Sequence, residues 1–160
     1  ERLVVKPDEF KLEGCATAQC AHQTSSVSDI SVETDYPSHI PNWPIKLNLT
    51  TVQMPYFHHA DLIIAADCVP GVVSNFQAEV VAGKTLLMGC PKFDDKQYYL
   101  EKLTQIFKRN DLKSITVAFM EIPCCGSMYS LVKDALKKAG KTDQIPIYWR
   151  KFGVKLQKAH

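Results

Sequence analysis

The sequence predicts an α/β protein: a three-layer sandwich around a mostly parallel sheet of about five strands. Three short apolar runs, at residues 62–66, 85–89 and 115–122, lead to this prediction. Continuous apolar runs are typical of parallel strands that are buried on both faces. Segments with helical periodicity separate the runs, as expected for strands joined by crossover helices. In such sheets, ligands bind outside the carboxyl ends of the strands.

Composition narrows the class of protein. The chain has 160 residues, of which 46% are hydrophobic, enough for one domain with a sizeable core. Nineteen basic and 17 acidic residues leave a net charge of +2, too little for the electrostatic footprint of a nucleic-acid-binding protein. No apolar run approaches the roughly 20 residues of a membrane span, and no secretory leader is present. We therefore expect a cytoplasmic protein that binds neither nucleic acid nor membrane.

Residues 1–42 are predicted to form an irregular arm, and residues 43–160 the α/β domain. The arm lacks a sustained period and contains Cys15, Cys20 and His22 within eight residues. Its spacing differs from the two-residue knuckle of common zinc sites. The arm is either a lid whose thiols close over the main site or bind their own metal, or a polar linker. Because the chain begins at Glu1 rather than methionine, we expect it to be part of a longer or processed protein.

Further strands are predicted on either side of the three apolar runs. Residues 45–50 alternate apolar and polar side chains, which indicates a strand with one solvated face near an edge of the sheet. Residues 145–152 form the last predicted strand, and Pro146 favours an edge position for it because proline cannot donate to a neighbouring strand.

Three helices are predicted between the strands. Residues 71–81 carry an approximate helical stripe that ends at Gly83. Asp94 and Asp95 stand where the N-cap of the clearest helix belongs. The third helix is predicted to open near Cys125 and to end at Gly140.

Four cysteines follow the ends of the three apolar runs: Cys68, Cys90, Cys124 and Cys125. If these strands are neighbours, spaced about 5 Å apart, the thiols converge within a patch about 10 Å wide. Two of them stand at strand-to-helix turns, where the positive end of the helix favours thiolate. Thiolates select zinc, monovalent copper and iron–sulfur clusters. The sequence therefore predicts an iron–sulfur cluster, of the 4Fe-4S type, or zinc as the cofactor.

Other residues are candidates for the same site. Adjacent side chains diverge, so two arrangements are open: one of Cys124 and Cys125 is a ligand while the other packs, or Cys15 or Cys20 takes the place of one of them as a ligand. Asp67 and Lys92 flank strand-end cysteines and are candidates for contacting the cofactor. Six cysteines are many for a reducing compartment, where cysteines more often serve metals or catalysis than disulfides.

Alternative interpretations stay open. One is a thiol-dependent enzyme or small-molecule-binding domain with one activated cysteine, Cys125 or Cys68, and with Asp67 or His59 as the orienting or basic residue. In another, the cysteines are small core hydrophobes and the domain is a scaffold that docks a partner. The architecture is similar to the flavodoxin and Rossmann classes. However, the loop after Cys68 lacks the glycine-rich dinucleotide fingerprint, which disfavours a nicotinamide cofactor bound in that way.

Several motifs carry a resemblance to a family. The strings Asn42-Trp43-Pro44-Ile45, Ala65-Ala66-Asp67-Cys68, Gly89-Cys90-Pro91-Lys92 and Glu121-Ile122-Pro123-Cys124-Cys125 are the clearest. Together they resemble the C-terminal region of a family of bacterial and archaeal ferredoxin-like proteins, over residues 43–152. In that family such a region follows a four-iron ferredoxin module. The resemblance implies electron transfer in anaerobic redox metabolism, with an upstream ferredoxin domain or a redox protein as partner. A homodimer is also left open.

Overall fold

The computed structural model describes residues 38–153. Its strands are β1 (Ala60–Ala66), β2 (Thr85–Gly89), β3 (Leu112–Met120) and β4 (Ile147–Phe152). They form a sheet in the order β2-β1-β3-β4, in which every neighbouring pair is parallel. The predicted α/β class is confirmed, with four strands within the described residues where about five were expected. β4 lies at an edge of the sheet, as Pro146 predicted.

The strand predicted at residues 45–50 is reduced to a single bridge. Lys46 pairs with Met88 of β2 in the parallel sense. The chain then turns, because the carbonyl of Lys46 accepts hydrogen bonds from the N–H groups of Leu49 and Thr50, at 2.9 and 3.1 Å. Alternation of apolar residues is local information, and here a turn interrupts the segment before it can continue along β2.

Helices connect the strands. They are α1 (Val69–Val72), α2 (Lys96–Arg109) and α3 (Pro123–Lys138), with a π-helical turn at Gln77–Val81 and a 3-10 turn at Pro55–Phe57. The prediction of a continuous helix over residues 71–81 is therefore wrong. Val73 adopts an extended conformation and ends α1 after one turn. A proline, a glycine and two β-branched valines make this segment a poor helix former.

The N-terminus of α2 forms as predicted. Asp95 is the N-cap, and its carboxylate accepts hydrogen bonds from the N–H groups of Gln97 and Tyr98, at 2.8 and 3.0 Å. These bonds satisfy two of the backbone donors that the first turn of a helix leaves unpaired. The apolar face of α2 includes Tyr99 and Leu103, both fully buried.

Side chains that alternate along the strands fill two apolar cores, one on each face of the sheet. Ile64 and Val117 belong to the core shared with α2 and α3. Ile63 and Ala118 belong to the core on the opposite face, which residues 69–81 cover. Since the period of a strand is two, neighbouring residues of one strand enter different cores. The sheet is thus buried between two layers, as the three-layer prediction requires.

The connections change direction at one place in the sheet. From β1 the chain moves to β2 through residues 69–81 on one face, and then passes over β1 to β3 through α2 on the other face. The segments that follow β1 and β3 therefore leave the sheet on opposite faces. This makes the gap between the carboxyl ends of β1 and β3 the topological switch point, where ligands bind in open α/β sheets.

Candidate functional site

Three thiols flank the switch point. Cys68 directly precedes α1 beyond the end of β1, and its side chain is exposed. Cys124 and Cys125 lie in the first turn of α3, which follows β3. Because β1 and β3 are neighbours in the sheet, these thiols come from two adjacent strand ends. The condition on which the expected convergence depends, that the strands preceding these cysteines are neighbours, is therefore met for β1 and β3.

Cys125 is the buried member of the group. Only 2% of it is exposed, and it packs in the apolar core on the face covered by residues 69–81. The pKa of its thiol is raised to about 11, mainly by burial, and the nearby Cys124 and Cys68 thiols act in the same sense. A hydrogen bond with the backbone of Met120 opposes this shift. Cys125 is accordingly a protonated thiol at neutral pH in the absence of a metal.

Cys90 follows the strand on the other side of β1 from β3. It follows β2, which is separated from β3 by β1, so about 10 Å of sheet lies between the two strand ends. The described part of the chain contains no group of three or more His, Cys, Asp or Glu side chains placed to hold a metal ion. Cys124 and Cys68 lie near enough to Cys125 to raise the pKa of its thiol, but the side chains as placed do not form a metal site.

The loop that carries Cys90 is held by a carboxylate. Asp94 Oδ2 accepts a hydrogen bond from the Cys90 N–H at 3.1 Å and another from the hydroxyl of Tyr99, while Asp94 Oδ1 accepts one from Asn48 at 3.1 Å. The Tyr99 hydroxyl is the largest cause that lowers the pKa of Asp94. Burial, followed by the neighbouring Asp94, raises the pKa of Tyr99 above its usual range. The sequence predicts only a capping position for Asp94 and does not indicate this network.

Gly89 leaves the space that the Tyr99 hydroxyl occupies. A Cβ at position 89 would collide with this hydroxyl and lie 2.7 Å from two ring carbons of Tyr99. A glycine at the end of an apolar strand was the available signal, since glycine in a strand often marks a close approach of another group.

Asp67 is half-buried beside Cys68. Its Oδ2 forms a 2.5 Å ion pair with the Nζ of Lys46, and its N–H donates to the Gly89 carbonyl at 3.1 Å. Its Oδ1 is buried and has no hydrogen-bond partner among residues 38–153. The carboxylate lies on the β2 side of β1, because it contacts the segment that bridges to β2. Lys92, the other flanking candidate, is exposed in the loop after β2.

His59 does not join the switch-point thiols. Cys15 and Cys20 lie outside the residues that the structure describes. His59 stands before β1, whereas Cys68 stands after it, so a strand of seven residues, about 20 Å long, separates them. His59 instead pairs with Asp111, at 3.1 Å. The prediction of His59 as a base for Cys68 is wrong because the two residues lie at opposite ends of one strand.

Fold and site together define a doubly wound α/β protein with cysteines next to its switch point. The model of a family described as a Rossmann-like domain matches residues 54–150, more than half of the chain, and the chain belongs to this family. An uncharacterized protein of Archaeoglobus fulgidus is 28% identical over 109 residues, which make up 68% of this chain and 76% of the relative. No solved structure matches the chain.

These comparisons correct the family expected from the cysteine motifs. The matching family is one of Rossmann-like domains, and nothing in the comparisons indicates a 4Fe-4S ferredoxin family. The motifs at the strand ends are short, while the family match covers most of the described domain.

Among the described residues, no helix is long and apolar enough to cross a membrane.

Proposed function

We propose that this domain binds a soft metal centre through strand-end thiols: an iron–sulfur cluster, which would serve in redox or electron-transfer chemistry, or zinc, which would form a structural or hydrolytic centre. Cys68, Cys124 and Cys125 are the core of the ligand set. The observation that carries the proposal is their position: thiols from two neighbouring strand ends lie at the switch point of a doubly wound sheet, where such folds bind ligands.

Ligation requires the thiols to turn toward a common centre. Cys68 and Cys124 are exposed, so rotation about their Cα–Cβ bonds displaces no core side chain. Cys125 must give up the proton that burial favours, and a bound metal ion supplies the positive charge that replaces it. Thiolates suit zinc, monovalent copper and iron–sulfur clusters, and disfavour hard ions such as magnesium.

The remaining ligand positions have two sources. Cys90 stands one strand further along the same edge and is partly exposed, so it is the fourth ligand available from the described domain. A small exogenous ligand or a residue of a redox partner is the other source. Because the ligands must persist as free thiols, the proposal places the protein in a reducing compartment such as the cytoplasm.

The experiment that tests this proposal is metal and acid-labile sulfide analysis of protein purified without oxygen. We expect stoichiometric metal in the native chain and its loss in the Cys68→Ser and Cys124→Ser variants. Ser127→Ala is the control: it removes a hydroxyl one turn further along α3 without adding or removing a thiol, and metal content should not change. Protein without stoichiometric metal, or variants that keep their full metal content, would reject the proposal.

A second candidate function is thiol–disulfide chemistry between Cys68 and Cys124. It is favoured because both thiols are exposed and lie at neighbouring strand ends. Adjacent Cα atoms are about 3.8 Å apart, less than disulfides usually span, so Cys124 and Cys125 are a poor pair. Oxidation would form the Cys68–Cys124 bond while two electrons and two protons reduce a small disulfide such as oxidised glutathione to two thiols.

These functions differ in the thiol that reacts. Cys125 lacks the lowered pKa of an activated nucleophile, so the thiol function depends on Cys68 and Cys124. Incubation of metal-free protein with oxidised glutathione, followed by peptide mass spectrometry, should yield a peptide cross-linked through these two residues. If only mixed disulfides with glutathione form, the second function fails and the metal proposal is unaffected.

A further inference from the structure

The two edge strands of the sheet, β2 and β4, differ in whether their outward backbone groups are hydrogen-bonded. At the β2 edge, the Asn42 side chain accepts from the N–H of Leu86 at 2.8 Å and donates to its carbonyl at 3.0 Å. Further along, Met88 donates to the Ile45 carbonyl at 2.7 Å and accepts from the N–H of Leu47 at 2.8 Å. The backbone groups that β2 directs outward at Leu86 and Met88 are thus occupied, and this edge is closed to another strand.

The β4 edge is open along the described chain. Ile115 donates to the carbonyl of Pro146 and Glu121 donates to that of Phe152, so the even-numbered residues of β4 direct their backbone groups toward β3. Backbone groups alternate in direction along a strand. Ile147, Trp149 and Lys151 therefore direct their N–H and carbonyl groups away from the sheet, and no other strand of residues 38–153 pairs with them.

Charged side chains usually protect such an edge, and here they are drawn back over the domain. Lys151 Nζ lies 2.6 Å from Glu121 Oε1. The guanidinium of Arg150 donates to the Glu79 carbonyl at 2.8 Å and lies over the ring of Phe152 at 5.4 Å. Both cations of β4 are thereby engaged within their own domain.

Apolar surface is left next to this edge. Tyr148 and Trp149 are 56% and 57% exposed, one on each face of β4. On the Trp149 face, a shallow cavity of about 230 Å³ is lined by Phe119, Tyr129, Trp149 and Lys151. An edge with unpaired backbone groups, engaged cations and exposed aromatic rings is suited to adding a strand.

We propose that β4 pairs with β4 of a second copy of this chain, antiparallel across a two-fold axis at Trp149. In this register the outward backbone groups of Trp149 meet those of its counterpart, and Ile147 meets Lys151 of the second copy. All three outward-directed residues of each strand then exchange backbone hydrogen bonds. The sheet continues from one copy into the other, and the arrangement is isologous, as a closed dimer requires.

Side-chain complementarity selects this register. Residues directly opposite on antiparallel strands lie on the same face of the sheet. Tyr148 therefore faces Arg150 of the second copy, and its ring can pack on the aliphatic stem of that arginine while the guanidinium stays with Glu79. Ile147 of the second copy comes beside Lys151, next to the shallow apolar cavity. A two-fold axis at Arg150 instead would set two arginines opposite each other in the narrow pair, where like charges are destabilising.

Two variants of β4 test this register, because the same acid would lie opposite different residues of the second copy. Trp149→Glu sets two carboxylates opposite each other at the axis, while Tyr148→Glu sets a carboxylate opposite Arg150 of the second copy. Both replace an exposed aromatic residue of β4 with the same acid. We expect Trp149→Glu to weaken the dimer at least tenfold and Tyr148→Glu to retain it, as measured by sedimentation equilibrium of the full chain in a thiol reductant.

Circular dichroism and thermal unfolding of both variants establish that they are folded before their dissociation constants are compared. A native chain that stays monomeric to about 1 mM would overturn the proposal, and would indicate that the edge is covered by residues 1–37 or 154–160. Equal weakening by both variants would overturn the Trp149 register. A dimer that neither variant affects would place the interface elsewhere.

Discussion

The side chain of Asn42 pairs with the backbone of Leu86 as a strand would, accepting from its N–H and donating to its carbonyl. Asn42 is 7% exposed, and its amide also donates to the carbonyl of Pro44 at 3.2 Å. One carboxamide therefore satisfies both outward groups of Leu86 and fixes the segment that leads to Lys46. Buried polar groups of this kind are costly to leave unpaired.

Replacement of Asn42 by alanine should lower the free energy of unfolding by about 2–4 kcal/mol, because two buried backbone groups lose their partner at once. Urea denaturation of the native chain and the variant measures this difference in the free energy of unfolding. Asn48→Ala is the control, since Asn48 is exposed and gives Asp94 a single hydrogen bond; it should cost less than about 1 kcal/mol. Equal effects of the two replacements would contradict the role of Asn42 at the β2 edge.

Gly89→Ala should destabilise the domain by about 1–3 kcal/mol or more, because the new methyl group collides with the buried ring of Tyr99. Gly126→Ala is the same substitution in the exposed second turn of α3, where nothing lies within 4 Å of the added atom. It should stabilise the domain by about 0.5–1 kcal/mol, since alanine is the better helix former. Thermal unfolding separates the two; a tolerated Gly89→Ala would show that Tyr99 moves without cost.

The cysteines should react with iodoacetamide in a defined order. Cys68 and Cys124 are exposed and should be alkylated first. Cys125 is buried with a pKa of about 11, so about one thiol in a thousand is ionised at pH 8, and its rate should rise about tenfold per pH unit up to that value. Peptide mass spectrometry of timed samples measures the order. Early alkylation of Cys125 at pH 8 would mean that α3 opens at its first turn.

Tyr99→Phe should make the domain less sensitive to acid. The pKa of Asp94 lies below 3.8 in the folded chain, mainly because of the Tyr99 hydroxyl. Its carboxylate therefore contributes stability above about pH 4, and this contribution is lost as the pH falls through the folded pKa. In Tyr99→Phe, the pKa of Asp94 should rise and the loss of stability between pH 6 and pH 2 should shrink. Unfolding in urea across this range, with Tyr98→Phe as the exposed control, measures the difference.

Much of the fold follows from local patterns. The apolar runs located β1, β2 and β3, because a strand covered on both faces needs apolar residues without interruption. Asp95 was found as the N-cap of α2 because its carboxylate needs only the next three residues to form its bonds. Pro146 indicated an edge, since a residue without an N–H is poorly suited to the middle of a sheet.

Local patterns do not predict contacts between residues that are far apart in sequence. Apolar residues recur along residues 71–81 because they pack against the sheet. An irregular segment can make these contacts as well as a helix can, so the pattern does not require a helix. Asn42 and Leu86 are far apart in sequence, and nothing near either residue reveals their pairing. The Asp94–Tyr99 contact also depends on Gly89, which a pattern search treats only as the end of a strand.

For the candidate site, the sequence by itself determined that cysteines follow three buried strands, because strand ends are marked by local changes of pattern. Only the tertiary structure decided which of them meet. The order β2-β1-β3-β4 places the strand end that leads to Cys68 between the one that leads to Cys90 and the one that leads to Cys124 and Cys125, so Cys90 and the Cys124–Cys125 pair follow strands that are not neighbours. Strand order depends on how crossovers pack on the two faces of the sheet, and this is a property of the whole domain that no single strand encodes.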